Sequence, residues 1–379
     1  MDLTSSQFFV AKLRAVLEEV TSLVAKSHRI GLAIDNEWPE SEFFSALITQ
    51  GFRGEHPRTR RLLTELSKFG PFEFRIESVR HNQQKMEPLT GADLAVAITF
   101  AIDGADFARR GFLVQLKKAK LGAKKFSFAV ESLHHKSGAS VFGTNLHQAE
   151  RMLIFTQAAV YWVAVPPNAV HDKSLMQHYL SATSLAARRK RRTESATMHA
   201  PPQGDGYLST WPILTIDHPE FDRFLHRWEH YVGSHSGQSI KDAAKQKQEL
   251  QKENILRDLR SDAAAESRRS FGMGSLLSVL AIHADSILAL SNTSTTDIAQ
   301  LYGHSVSLPE FFLGDVIADS FGDDNSELTE AILQNKPNDY VLDTIRSRAP
   351  DLSPNRDAPI ARDALSIRVA MKTRPQGDA

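Results

Sequence analysis

The stretch TGADLAVAITFAIDGADFARRGFLVQLKKAK, Thr90–Lys120, places an aspartate at the head of one apolar run and a Gln-x-Lys inside the next. DLAVAITFAI and GFLVQLKKAK read as two strands, with Asp103-Gly104 among the turn residues between them. Side chains two apart on a strand share a face, so Gln115 and Lys117 point one way while Val114 and Leu116 point the other, into a core. If the two strands pair, Asp93 lies beside them. A carboxylate, an amide oxygen and a lysine then converge at one place on a sheet.

Working outward, FEFRIESV (72–79) alternates Phe72, Phe74 and Ile76 with charged residues, as a strand with one wet face does. Three helices precede it. Residues 7–26 have helical spacing; WPESEFFSALITQGF starts near Pro39 and stops at Gly51; HPRTRRLLTELSKFG starts near Pro57 and stops at Gly70. Downstream, GTNLHQAERMLIFTQA reads as a helix and AVYWVAVPP as a buried strand closed by Pro166 and Pro167. The order helices, three strands, helix, strand predicts an α/β domain with a partly antiparallel sheet over residues 1–180.

The texture then changes. Residues 181–240, with ARRKRR (187–192) and PPQGDG, read as a basic linker and loop region, and 241–350 as mainly helical, including a charged helix over 241–269. Met273–Leu290 is the longest apolar stretch; with His283 and Asp285 inside it, it reads as a buried helix rather than a membrane span. Residues 351–379 are polar and proline-bearing, a loose tail.

Composition narrows the chemistry. At 379 residues the chain favours two domains, since single cores stop growing beyond roughly 250 to 300 residues. Lys+Arg and Asp+Glu balance at 45 each, so a polyanion partner has to be met by a local patch. There are no cysteines, which excludes disulfides, thiolate zinc sites and cysteine nucleophiles, and fits a reducing compartment. The amphipathic N-terminus does not read as a signal peptide, and a cytoplasmic protein without membrane attachment is expected. Phosphate-loop, nucleophile-elbow and His-Glu-x-x-His signatures are missing.

The convergence of Asp93, Gln115 and Lys117 suits a hard divalent cation. Magnesium takes oxygen ligands, keeps several waters and uses only one or two protein carboxylates, while a lysine beside it can hold an attacking water or stabilise developing charge. GADL followed by VQLKKAK also resembles the PD-(D/E)XK, or restriction-endonuclease-like, nucleases in the Gln-x-Lys version, similar to type IV restriction and related phage-defence enzymes. The resemblance covers roughly residues 50–170. It implies a restriction-endonuclease-like mixed sheet flanked by helices, and a Mg²⁺-dependent endonuclease, with Mn²⁺ as an alternative metal. Asp93, Gln115, the Leu116 main-chain carbonyl and a helical glutamate would hold the metal, with Lys117 orienting water.

For the glutamate, Gly54-Glu55 followed by Thr59 and Leu62 fits the family pattern, with Glu65 in reserve; Glu87 and Gln148 are possible accessory residues. Arg58, Arg60, Arg61, Lys118, Lys120, Lys124 and Lys125 offer positive charge to a nucleic-acid backbone. DNA is favoured over RNA, and a homodimer or another defence protein is a further partner. The competing readings are an inactive nuclease-like module that binds nucleic acid or a partner, and a repair or junction-resolving nuclease.

Overall fold

The computed structural model describes residues 5–35, 38–67, 72–80, 89–121, 128–130, 147–165, 240–267, 278–289, 296–297, 301–302, 304–319, 321–348 and 356–371. Two compact units emerge. One comprises residues 1–198 and 257–379; the other is His199–Leu256, of which only the helical residues from 240 onward are described.

In chain order the elements begin with α1 (Ser5–Asp35), α2 (Glu40–Phe44) running into a π-helical segment (Ser45–Phe52), and α3 (Pro57–Ser67). Strands β1 (Phe72–Arg80), β2 (Ala92–Ile102), β3 (Ala105–Lys118), β4 (Lys120–Leu121) and β5 (Phe128–Val130) follow, then α4 (Gln148–Phe155) and β6 (Ala159–Ala164). The remainder supplies α5 (Ile240–Ser267), β7 (Val279–His283), α6 (Ala284–Ala289), β8 (Thr296–Asp297) and β9 (Ser305–Ser307). The last elements are α7 (Leu308–Glu310), a second π-helical segment (Phe311–Ala318), α8 (Ser326–Gln334), α9 (Asp339–Arg348) and β10 (Ala361–Met371).

Seven strands form one mixed sheet in the order β1-β10-β2-β3-β6-β7-β9, and β4-β5-β8 form a small second sheet. The fold is therefore α/β, and two sequence expectations need correction. Residues 361–371 are not a loose tail but an interior strand, antiparallel to β1 and parallel to β2. The region 241–350 is mainly helical among its described residues, but it is not a separate part, because β7 and β9 extend the same sheet and residues from 257 onward belong to the same unit as the N-terminal segment. Within it, the stretch read as one helix over Met273–Leu290 holds β7 followed by α6; a short apolar run carries no period that separates strand from helix.

The β2–β3 hairpin forms as its sequence dictates. Asp103 (φ 50°) and Gly104 (φ 84°) both take the left-handed conformation that a two-residue hairpin turn requires. Every residue of β2 and β6 is buried, the pattern of strands covered on both faces.

On one face, Ala95, Ala97, Ala159 and Ala364 meet Met152 and Phe155 of α4 and Leu328 and Ile332 of α8 in a single core cluster. Small residues let these helices approach. A Cβ at Gly111 would fall 2.7 Å from Ile332 Cδ1. The opposite face carries Phe72, stacked on Phe9 of α1 at 4.8 Å, and Trp162, packed among Phe52, Phe112, Phe311 and Phe312. Each such side chain contributes about 1.5–3 kcal/mol by leaving water.

The second helix departs from expectation at its end. Gly51 does not stop it but lies inside the π-helical segment, where a Cβ would sit 2.9 Å from Val20 Cγ1; Gly54, at φ 66°, makes the turn instead. Among the described residues no helix is long and apolar enough to cross a membrane.

Candidate functional site

The register that pairs Leu94 with Val114 puts Asp93 across from Gln115. On the other side of β3, Gln115 pairs with Tyr161 and Lys117 with Val163 of the parallel β6, so Asp93, Gln115, Lys117 and Tyr161 share one face. On β10, Ala361 pairs with Ala92 and Asp363 with Leu94, which sets Arg362 beside Asp93. The first three residues are thus brought together as the sequence suggests. They are also deep: Asp93 is 9% exposed, Gln115 3% and Lys117 6%.

Asp93 is held by its neighbours. Its Oδ2 accepts from the Gln115 side-chain amide and, at 3.0 Å, from the Leu116 main-chain N–H; Oδ1 lies 3.5 Å from Arg362 Nη1. The Leu113 amide donates to the Ala158 carbonyl just ahead of β6 and the Ala119 amide to the Ala164 carbonyl of β6, while the Leu116 amide donates to Asp93. Alternation along the strand therefore turns the Leu116 carbonyl toward Asp93 as well. Burial pushes the Asp93 carboxyl up; it outweighs the opposing pull of Arg362, the Leu116 N–H and Lys117, and Glu40 adds to the rise. The Tyr161 phenol is also pushed up, by burial and then by Asp93.

Several fixed points hold this corner. Gly91, at φ 72°, leads the chain into β2, and Thr90 Oγ1 donates to the Ile360 carbonyl at 2.5 Å, joining the start of β2 to the segment ahead of β10. Asn335, in the left-handed conformation at the end of α8, uses its side chain as a surrogate peptide: Nδ2 donates to the Ala361 carbonyl and Oδ1 accepts from the Ala361 N–H, both at 3.1 Å. The buried Arg151 of α4 donates to the Leu89 carbonyl at 3.0 Å. Gln148 stands one turn before it, with a buried Oε1 that has no hydrogen-bond partner among the described residues.

The remaining sequence candidates fall elsewhere. Glu55 is exposed in the turn after the first π-helical segment, and the acid whose charge reaches Asp93 is Glu40, exposed in the first turn of α2. Sequence reasoning missed Glu40; its only local signal was the acidic first turn after Pro39. Glu65 bonds Lys12 at 2.9 Å, and that contact holds its carboxyl below the usual range.

Of the basic candidates, Arg58 pairs with Glu19 at 2.9 Å, Arg60 donates to the Gly54 and Glu55 carbonyls, and Arg61 lies 3.8 Å from Glu65. Lys118 is not a free surface cation either, since it donates to the Trp38 carbonyl. The Lys120 side chain, Lys124, Lys125, Glu87 and the 187–192 basic run lie outside the described residues.

Among the described residues no group of three or more His, Asp or Glu is arranged to hold a metal ion. The donors at the sheet corner nonetheless fit a hydrated magnesium. They are the buried Asp93 carboxylate and the Leu116 carbonyl, with Glu40 nearby; Gln115 Oε1, which lacks any hydrogen-bond partner among the described residues, would join them with its amide turned end for end, since Nε2 faces Asp93 here. A cation there would compensate the desolvated carboxylate. Comparison with protein-family models, curated proteins and solved structures returns no match.

Proposed function

We propose that the chain is a Mg²⁺-dependent nuclease that hydrolyses phosphodiester bonds, of DNA in preference to RNA, on a restriction-endonuclease-like sheet, with defence against foreign DNA as its role. One observation carries the reading: Asp93, Gln115 and Lys117 meet on one sheet face while the buried Gln115 Oε1 has no partner among the described residues. Polar side chains of this kind, buried in a sheet and incompletely paired, cost stability and persist where chemistry uses them.

In this reading Asp93, the Leu116 carbonyl and Gln115 Oε1, its amide turned end for end from the orientation described above, would hold the cation, and Glu40 takes the role first assigned to Glu55. The bound metal supplies Lewis-acid stabilisation of charge on the phosphate and leaving oxygens. Lys117, two residues along the same face, orients the attacking water, and its burial keeps competing solvent from that position. Arg362, exposed beside Asp93, is placed to meet a backbone phosphate.

A second reading, a non-cleaving module that binds nucleic acid, is favoured by the single carboxylate buried at the site. Incubating the purified protein with plasmid, linear duplex, single-stranded DNA and RNA in Mg²⁺, Mn²⁺ or EDTA separates the two. Metal-dependent cutting lost in Asp93→Ala and Lys117→Ala supports the nuclease. Salt-sensitive binding with no cutting in either metal supports the module. Glu40→Gln is expected to reduce cutting and Glu55→Gln to leave it unchanged.

A further inference from the structure

The seven-stranded sheet ends differently at its two sides. At one side β9 has three residues and runs straight into α7; at the other β1 has nine, Phe72–Arg80, and no strand bonds its outer side among the described residues. A bare strand edge is a template for another strand, and proteins guard such edges with shortness, proline, a bulge or charge. β1 holds no proline or glycine, and its register with β10 runs from Phe72↔Met371 to Arg80↔Asp363 without a shift. Its charges are the one guard that remains.

Glu73, Arg75 and Glu77 alternate along β1 on the sheet face that carries Asp93, since Arg75 lies opposite Arg368 and Arg368 opposite Thr99. Within the strand Arg75 lies 2.9 Å from Glu73 and 3.8 Å from Glu77, and its side chain is 60% exposed. Two-fold antiparallel pairing of β1 with itself must be centred on a residue, so that opposed residues share a face. Centred on Arg75, it opposes arginine to arginine and each Glu73 to a Glu77, all like charges. Centred on Phe74, it joins unlike charges but uses only Phe72–Ile76. Centred on Ile76, it opposes each Arg75 to Glu77 of the second copy and pairs all nine residues of the strand.

We infer that β1 is a dimerisation edge, and that its occupant is β1 of a second copy, antiparallel and centred on Ile76. The charges then select the register instead of forbidding the contact. Nine paired residues exchange on the order of ten main-chain hydrogen bonds, as many as a typical interface carries. The half-buried Ile76 of each copy meets the other, and both Asp93 corners lie on one face of a continuous sheet. None of this depends on the chemistry at Asp93.

Sedimentation equilibrium of the full-length protein tests the inference. The wild type is expected to dimerise and to dissociate on dilution. Arg75→Glu sets acid against Glu77, and Glu77→Arg sets cation against Arg75, so each variant alone should dimerise about tenfold more weakly. An equimolar mixture of the two restores opposite charges at both positions and should associate as tightly as the wild type. Both side chains are exposed, so the fold is retained, checked by unchanged circular dichroism. A wild type that stays monomeric up to its solubility limit overturns the inference. So does a dimer that neither variant weakens, or a mixture no tighter than its components.

Discussion

Arg362 Nη1 lies 3.5 Å from Asp93 Oδ1 across the parallel β10–β2 pair, so the charge of a residue near the C-terminal end of the chain acts on the first acidic residue of β2. That charge pulls the Asp93 carboxyl down, against burial, which pushes it up. Arg362→Gln therefore leaves Asp93 protonated at higher pH. A cation needs the carboxylate, so the midpoint of Mn²⁺ binding against pH moves upward in this variant, while Arg362→Lys stays close to wild type. A midpoint that stays put, or moves down, contradicts the arrangement.

Asp93 carries a stability cost with a definite pH signature. Its carboxyl is raised by folding, so its contribution to stability is full below the unfolded-state pKa and is lost as pH rises through the folded-state value. At neutral pH the charged form destabilises the fold. Asp93→Asn is expected to melt a few degrees higher at pH 8 while losing cation binding, with the gap closing in acid; melting curves at both ends of the range test this.

Behind the site, on the other sheet face, Arg53 Nη2 donates to Asp363 Oδ2 at 2.6 Å, and both side chains are nearly enclosed. Removing one partner strands a buried charge, so Asp363→Ala should cost about 3–5 kcal/mol in urea unfolding. The paired replacement Arg53→Met with Asp363→Leu should recover most of it. A single variant within about 1 kcal/mol of wild type would mean the pair is better hydrated than its burial indicates.

His28 stacks on Trp38 with ring centroids 4.3 Å apart, and burial, aided by Lys118, pushes it down to about 4 from an ordinary 6.5. Between those values the unfolded chain binds a proton that the folded chain refuses. Stability therefore falls as pH drops through this window. His28→Phe preserves a ring against Trp38 and should flatten that fall, measured as the denaturation midpoint at pH 7 and at pH 4.5.

The part of the site that was legible in the sequence is the part set by neighbours in the chain. Asp103-Gly104 fixes the hairpin turn, but the turn alone would carry Asp93 opposite Val114; the irregularity between Phe100 and Ala101 shifts the pairing by one residue and brings Gln115 there, and nothing in the turn announces that shift. What was not legible depends on long-range pairing. Nothing local in ARDALSIRVAM says that it enters the sheet between β1 and β2, because a strand's period specifies its faces and not its neighbours. That the charge of Glu40 acts on Asp93 depends on how α2 docks against β3, a long-range packing that helical spacing does not record. Lys118 looked like a surface cation because the Trp38 carbonyl that accepts from it lies 80 residues away.

The position of β10 has a consequence for biosynthesis. A ribosome that has delivered everything up to residue 350 has made both strands of the β2–β3 hairpin but not the strand that joins β2 to β1. Until residues 361–371 emerge, β2 keeps a bare edge, and Asp93 lacks its arginine neighbour. Nascent chains and prematurely terminated products therefore carry an unfinished site, and the sheet corner around Asp93 is completed only after translation has passed β10.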